Sequence, residues 1–455
     1  MKIRILIYII AGMIFASCSG VKNCTEPQLN LPVSLAGNAT DTATMADMKW
    51  WEFYSDSTMV ALIREALDNN RDFLAAAARV EQMRQLYGVD KLNYAPTLSG
   101  LVLADHETND YHNEAHVEDP EFSLKARLSW EVDLWGGLKW SRRKSEAQYI
   151  ASVEDQRAMQ ITLISEIAGA YVRLLALDNE LAIVRRTLFT REENLNKAKL
   201  RFEGGLTPET VYQQAQVEYA STAALIPGLE RQIEVQKNAI SLLLGRYPGQ
   251  EISRGTLSLN EPIRQEFPVG LPSTLLQRRP DLRSAEAALA SSLANVGVTY
   301  ADRFPRLRID LVGGWENNEL AGFFKSPFTY VLGQITGTIL DFGRNKRKYK
   351  ASIAAYEQSR LKYEQKVLTA FEEVSNATIT FRLIKQTTER RRELLDAARK
   401  YAQLAYMQYS MGVINYIDVL DAQRRYFEAQ VGLSNAVRDE YLALINLYKT
   451  LGGGW

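Results

Sequence analysis

From Phe122 the chain alternates without a break. Phe122, Leu124, Ala126, Leu128, Trp130, Val132 and Leu134 fall on one side, against Ser123, Lys125, Arg127, Ser129, Glu131 and Asp133 on the other. A period of two is that of a half-buried strand, so the segment predicts a β-strand with one greasy and one wet face. Softer, glycine-rich alternation over residues 97–104, 306–315 and 330–340 predicts three more strands. A different period governs the segments between them. Leu163, Ile167, Ala170, Leu174, Leu177, Leu181, Val184 and Leu188 recur in steps of four and three, as do Val367, Ala370, Val374, Ala377, Phe381 and Ile384. Both are heptad seams and predict coiled-coil helices. Residues 138–204 and 345–411 count 67 each, which is roughly 100 Å of helix at 1.5 Å per residue. Return helices of about 37 residues each follow over 208–244 and 415–451. Pro208 suits a first helical turn, and Pro227 kinks the first return helix or marks an irregular turn.

These elements are one pattern written twice. A slide of 209 residues superposes Leu67 on Leu276, Asp72 on Asp281, Gly88 on Gly297 and Pro96 on Pro305. A slide of 207 superposes Gly136 on Gly343, Lys139 on Lys346, Gly205 on Gly412, Ala215-Gln216 on Ala422-Gln423 and Gly245 on Gly452. The net slip of two residues falls between Pro96 and Gly136, so the elements are nearly equal in length and the copies are expected to stack in parallel. Each copy reads helix, strand pair, very long helix, tight turn, second long helix. The expected division is a signal peptide (1–17), an N-terminal linker (18–58), a first repeat (59–256) and a second repeat (257–455).

Four strands cannot close a barrel, and an open sheet in lipid leaves backbone groups unsatisfied at several kcal/mol each. The chain must therefore recruit further copies of itself, and two, three or four chains would satisfy closure from eight strands upward. Trp130, Trp135, Trp140, Trp315, Tyr94, Phe304 and Phe328 sit at or near strand ends, where interfacial girdles are expected.

The N-terminus reads as an address. Lys2 and Arg4 precede an apolar run from Ile5 to Phe15, with Ala16-Ser17 before Cys18. Phe15-Ala16-Ser17-Cys18 is similar to a bacterial lipobox, which would make Cys18 the lipidated N-terminus. Nothing later approaches an 18-residue apolar stretch, which predicts no transmembrane helix. Cys24 is left without a role and no structural disulfide is expected. Lys plus Arg equals Asp plus Glu at 54 each, so charge argues neither for nucleic acid nor for disorder.

Four motifs in order carry a family resemblance: Ser129-Trp130-Glu131-Val132-Asp133-Leu134-Trp135-Gly136, Arg278-Arg279-Pro280-Asp281, Leu340-Asp341-Phe342-Gly343, and Tyr416-Ile417-Asp418-Val419-Leu420-Asp421-Ala422-Gln423-Arg424. The chain resembles the TolC-like outer-membrane efflux proteins, of the lipoprotein branch typified by OprM, from about residue 50 to 455. The resemblance implies an α+β membrane protein: a homotrimer with a 12-stranded transmembrane antiparallel β-barrel and a long coiled-coil α-helical barrel reaching through the periplasm. It implies an efflux channel docked to a periplasmic adaptor (membrane fusion) protein and an inner-membrane RND-type pump. The number three comes from the family alone.

Within that reading Gly204-Gly205 and Gly412 terminate the long helices at the periplasmic tip. Ile417 and Asp421 lie four apart on one helical face with Arg424 three further on. In the family the positions matching Ile417 and Asp421 line the closed end, so a ring of Asp421 carboxylates linked to Arg424 is the expected gate. The first copy has Thr210, Gln214 and Val217 there. Arg201, Phe202, Gly205, Tyr409 and Gly412 are the candidate adaptor contacts. His106, His112 and His116 fall in the acidic segment 105–121, read as a solvated loop rather than a metal site. No catalytic constellation, cofactor motif or nucleic-acid signature is found. Other classes to be weighed are the outer-membrane conduit of a type I protein secretion system, a lipid-anchored coiled-coil scaffold and a metal-dependent surface enzyme.

Overall fold

The computed structural model describes residues 24–29, 45–54, 56–109, 112, 117–257, 272–338 and 340–455. The expected signal peptide, Cys18 and His116 lie outside the described residues.

The same order of elements occurs twice. Helices α1 (Ser57–Asn69) and α2 (Arg71–Leu92) lead into strands β1 (Thr97–Asn109) and β2 (Val117–Val132), long helix α3 (Gly137–Glu203), and return helices α4 (Glu209–Ala223) and α5 (Leu225–Leu243). The second copy gives α6 (Pro272–Arg278), α7 (Pro280–Ala301), β3 (Arg306–Asn317), β4 (Pro327–Thr336), α8 (Arg344–Ser410) and α9 (Tyr416–Thr450). Both long helices have 67 residues and begin one residue ahead of the expected start. An aspartate starts each. Asp133 accepts from the Leu138 and Lys139 amides at 3.1 and 2.9 Å, and Asp341 from those of Gly343 and Asn345 at 2.9 and 2.8 Å. The first return helix breaks at Ala224, three residues before Pro227, whose missing N–H cannot bond back to the preceding turn. With Ser434 in place of Pro227, α9 runs unbroken for 35 residues.

Residues Arg79–Val153 and Ser284–Gln365, with 24–29, form one compact unit, and Glu154–Arg283 and Lys366–Trp455, with the described part of 45–78, form a second. Each unit therefore draws on both copies.

The first unit holds an antiparallel sheet of order β1-β2-β3-β4. Its register puts Leu98, Val102, Leu124, Leu128, Trp130, Ile309, Leu311, Val331 and Ile335 on one face. The other face carries Ser123, Lys125, Arg127, Ser129, Glu131, Arg308, Asp310 and Gln334. Lys125 pairs there with Glu121 and Glu316 at 3.2 and 2.9 Å, and Ser129 donates to Asp310 at 2.5 Å. The apolar face is bare: Leu98, Val102 and Ile335 are 74, 78 and 73% exposed.

Aromatic side chains gather at both ends of the strands. At one end Trp130 Nε1 donates to the Tyr94 carbonyl (3.1 Å), and Trp135 donates to the Pro305 carbonyl (2.7 Å) and stacks on Phe304 (4.6 Å). At the other, Trp315 meets Phe324 edge-on at 5.8 Å and Phe328 stacks on Tyr330 at 5.9 Å. Trp140 departs from the expected girdle, since it lies within α3 against Gly297 of α7.

Two strand expectations are corrected. β1 runs on to Asn109 and β2 begins at Val117, so much of the acidic segment is hairpin rather than loop, with His106 in the ladder opposite Pro120. Backbone pairing there continues without apolar alternation. β4 spans Pro327–Thr336 instead of 330–340 because the chain must leave the ladder to bring Asp341 to the start of α8.

In the second unit the seams become core. Leu163, Ile167, Ala170, Leu174, Leu181 and Val184 are buried, with Leu177 half-buried, and so are Val367, Ala370, Val374, Ala377 and Phe381. Leu163, Ile167, Leu174, Leu181, Val184, Val374 and Phe381 share one core with Ile63, Ile240, Leu447 and Tyr448, the full burial of each large apolar side chain contributing about 1.5–3 kcal/mol. The expectation of no long apolar stretch is also corrected: a window in α3 reaches mean hydropathy 1.3, and 72% of it is buried. Its apolarity serves this core.

Gly297 shows the close packing of the first unit. A Cβ there would meet the Trp140 indole at 2.2 to 2.6 Å, whereas the equivalent Gly88 has open space. Gly297→Ala is expected to cost about 1–3 kcal/mol by overpacking, and Gly88→Ala to gain up to about 1 kcal/mol of helix propensity. Denaturant titration of the detergent-solubilised protein reads both, and equal effects at the two glycines would contradict this account.

Candidate functional site

The two long helices end in the same way. Gly205 (φ 73°) and Gly412 (φ 75°) adopt the left-handed conformation, which glycine enters without a Cβ penalty. The Leu206 amide then closes on the Arg201 carbonyl at 2.8 Å, and the Val413 amide on that of Gln408 at 2.9 Å. These are Schellman closures, in which an amide two residues past the cap satisfies an orphan carbonyl. The chain restarts at Pro208 in the first copy and at Asn415 in the second. Asn415 and Asp418 form a reciprocal capping box that starts α9 squarely.

Around these reversals the expected contact residues assemble. Arg201 donates to the Tyr409 hydroxyl at 2.8 Å and lies 5.7 Å from its ring. Tyr409 packs against Tyr416 at 5.5 Å, and Phe202 stacks on Tyr212 at 6.0 Å. A cleft of about 460 Å³ opens between Asn194, Thr207, Tyr406, Tyr409 and Tyr416. The Tyr416 hydroxyl is buried with no hydrogen-bond partner among the described residues. Burial, with Tyr409 and Glu218 nearby, pushes its pKa up to about 12.

Ile417, Asp421 and Arg424 occupy one face of the first turns of α9, and Ile417 is exposed. Their links differ from the expected Asp421–Arg424 pairing. Within the chain Asp421 accepts from Arg425 Nε at 2.8 Å, while Arg424 reaches across to Glu218 of α4 at 2.7 Å. The reason is directional. Three residues on, Arg424 points toward α4, whereas Arg425 lies directly above Asp421 on the i,i+4 row.

Glu218 is shared. Its second oxygen takes Arg191 Nη2 of α3 at 3.0 Å, and Arg191 also donates to the Glu218 carbonyl at 2.8 Å and to the Thr222 hydroxyl. The Arg191 guanidinium lies 5.7 Å from the Phe427 ring. Burial draws the Arg191 pKa down against the pull of Glu218, while the hydrogen bond to Glu218 raises that of Arg424. Arg191, Glu218 and Arg425 were not among the expected residues. Arg191 had a signal in the sequence: it continues the seam three residues past Leu188, at the position of the buried Ala398 in the second copy. A charge in a seam is a mark of specified pairing.

His106 and His112 are exposed, and among the described residues no three His, Cys, Asp or Glu side chains are grouped to hold a metal ion.

Comparison with known proteins fits this geometry. The outer membrane efflux protein family profile matches residues 62–246 and 271–453. The probable efflux pump outer membrane protein SepC of Pseudomonas putida is 31% identical over 417 residues, covering 90% of this chain and 86% of that one. The probable outer membrane lipoprotein SilC of Salmonella typhimurium is 30% identical, covering 99% and 97%. The solved outer-membrane channel OprN superposes with a TM-score of 0.86 at 27% identity, covering 95% of this chain and 99% of that one. Repeated hairpins, paired long helices and matching reversals all fall within the matched residues, so the chain belongs to the outer membrane efflux protein family and is an outer-membrane channel component of an efflux pump.

Proposed function

We propose that copies of this chain, three by the family resemblance, close their sheets into one β-barrel and their helices into one tunnel that carries substrates passively outward. The observation that carries this reading is the two-faced sheet with both edges open. Its ten-residue β4 covers roughly 33 Å along the strand, or about 25 Å of bilayer at a tilt of about 40°. The aromatic clusters at the two strand ends match that band. In this reading the wet face lines the lumen, and the chain acts as a conduit rather than a catalyst.

The reversals are the periplasmic end. Arg201, Phe202, Gly205, Tyr409 and Gly412 would meet the periplasmic adaptor, which couples the channel to an inner-membrane RND-type pump. Ile417 and Asp421 would narrow the lumen. Arg424 would hold α9 against α4 through Glu218, itself anchored by the buried Arg191. An exposed ion pair contributes about 0.2–1 kcal/mol, which suits a link that must break, whereas leaving Arg191 buried and unpaired would cost about 3–5 kcal/mol. Cys18 would be acylated, as the lipobox-like residues and the relative named a lipoprotein suggest. Relatives named for toluene and solvent efflux favour small-molecule cargo over a secreted polypeptide.

The purified mature protein is expected to run as an SDS-resistant oligomer and to insert into planar bilayers with a low resting conductance; a detergent-independent, water-soluble monomer would overturn the reading. Arg424→Ala and Asp421→Ala should each raise the resting conductance without loss of the oligomer, and conductance unchanged in both removes the gate from this end of α9. Labelled palmitate should enter the wild type and not Cys18→Ser, so equal labelling of the two would reject the anchor.

A further inference from the structure

Strands β1 and β4 are the two edges of the sheet, and among the described residues no strand pairs with the outer row of backbone groups on either. We propose that β4 pairs antiparallel with β1 of a second copy of this chain in one register: Ile335 opposite Val102, Gln334 opposite Leu103, and Gly333 opposite Ala104. The proposal rests on the closed-barrel reading and adds what closure alone leaves open.

The register follows from the internal repeat. Advancing a β1 residue by 209 and its β2 partner by 207 yields an observed pair between β3 and β4. Thr97↔Ser129 becomes Arg306↔Thr336, and Val102↔Leu124 becomes Leu311↔Val331. The two hairpins are thus one hairpin repeated, in register. The β2–β3 junction is the join between copies inside the chain, and its equivalent joins β4 to the next β1. There the β2 residue advances by 207 and the β3 residue goes back by 209. Leu128↔Leu311 becomes Ile335↔Val102, Arg127↔Val312 becomes Gln334↔Leu103, and Ala126↔Gly313 becomes Gly333↔Ala104. Had both slides been equal, Ile335 would face Ala104 instead.

Two observations agree with this register. A shift by one residue would turn every side chain to the wrong face, but a slip of two keeps faces together. Ile335 and Val102 both belong to the apolar face, and pairing them carries that face across the junction. The second observation is Phe342. Trp135 rests on Phe304 and donates to the Pro305 carbonyl, and the same operation sends Trp135 to Phe342, Phe304 to Ala95 and Pro305 to Pro96. Phe342 is 90% exposed and holds φ at 50°, an outlier for an aromatic residue. Ala95 and Pro96 of the second copy supply the surface that Phe342 lacks in its own chain.

Cysteine pairs test it in the full-length protein carrying Cys24→Ser, oxidised in outer membranes. Within one chain β1 and β4 are three strand spacings apart, roughly 14 Å, beyond the ~7 Å between Cα atoms that a disulfide spans. Any product between them is therefore inter-chain. Directly opposed pairs alternate between close and wide Cα separations, so Ile335→Cys/Val102→Cys and Gln334→Cys/Leu103→Cys sample both. The expected result is a shift of the monomer band to multiples of the chain mass for at least one of these pairs, absent from each single variant. The same shift from Ile335→Cys/Ala104→Cys or Ile335→Cys/Gly100→Cys instead overturns the register and leaves closure standing. An SDS-resistant oligomer that no pair cross-links also overturns the register. A detergent-solubilised monomer with no cross-link in any pair overturns closure and register together.

Discussion

The constraint on which the structure depends is the unpaired edge of a greasy sheet. In lipid each unsatisfied backbone group costs several kcal/mol, and two edges of ten or more residues make a lone chain untenable there. The exposed Leu98, Val102 and Ile335 keep the sheet out of water, while the open edges keep it from standing alone in the bilayer. Neither demand can be met inside one chain. Association therefore follows from the hydrogen-bond requirement of the backbone, before any side-chain contact between copies is considered.

Duplication gives the remaining order. Asp133 and Asp341 start the long helices, and Gly205 and Gly412 end them, so both copies count off the same 67 residues. Equal rods with matched seams can share one core, as Ile167, Leu174, Val374 and Phe381 do. Function enters where the copies differ. Val217 and Glu218 of α4 correspond to Arg424 and Arg425 of α9, so charges that would clash if both copies were alike are made complementary, and Arg424 finds Glu218.

Much of this was legible in the sequence, and the failures have physical causes. The steps of the two seams located both long helices to within one residue, and the alternation from Phe122 to Leu134 placed the end of the central strand to within two residues and its start to within five, because burial there enforces the period. Residues 105–108 were missed as strand because a hydrogen-bonded ladder needs no alternation where the side chains on both faces are exposed. Trp140 was misassigned for want of a partner: nothing local announces that Gly297, some 157 residues on, leaves room for its ring. At the reversals the turn glycines were plain, but the pairing of Asp421 with Arg425 rather than Arg424 turned on which neighbour lay across the groove, and Glu218 is 206 residues away.

The grading of the core along the helices supports the proposal that the reversals are the end that moves. Through the middle of α3 and α8 the buried seam includes Leu, Ile, Val and Phe, each contributing about 1.5–3 kcal/mol, with Ala170, Ala370 and Ala377 between them. Beyond Val184 and Phe381 the buried positions become Arg191 and Ala198 in α3, and Thr388, Ala398 and Ala405 in α8. An alanine methyl contributes about 0.8 kcal/mol, and Arg191 and Thr388 gain mainly from hydrogen bonds that hold only while their partners stay in place. Large apolar side chains near the tip, Leu200, Leu404, Met407 and Ile417 among them, are exposed rather than packed within the chain. Separation of α9 from α4 at this end breaks the Arg424–Glu218 link, with Val419 and Leu420 the large apolar side chains of α9 buried beside it. The same separation near Leu174 or Leu447 would expose several large side chains at once. Local opening follows the gradient of buried apolar area, so in the proposed channel these helices would part at their reversals while their middles stay packed.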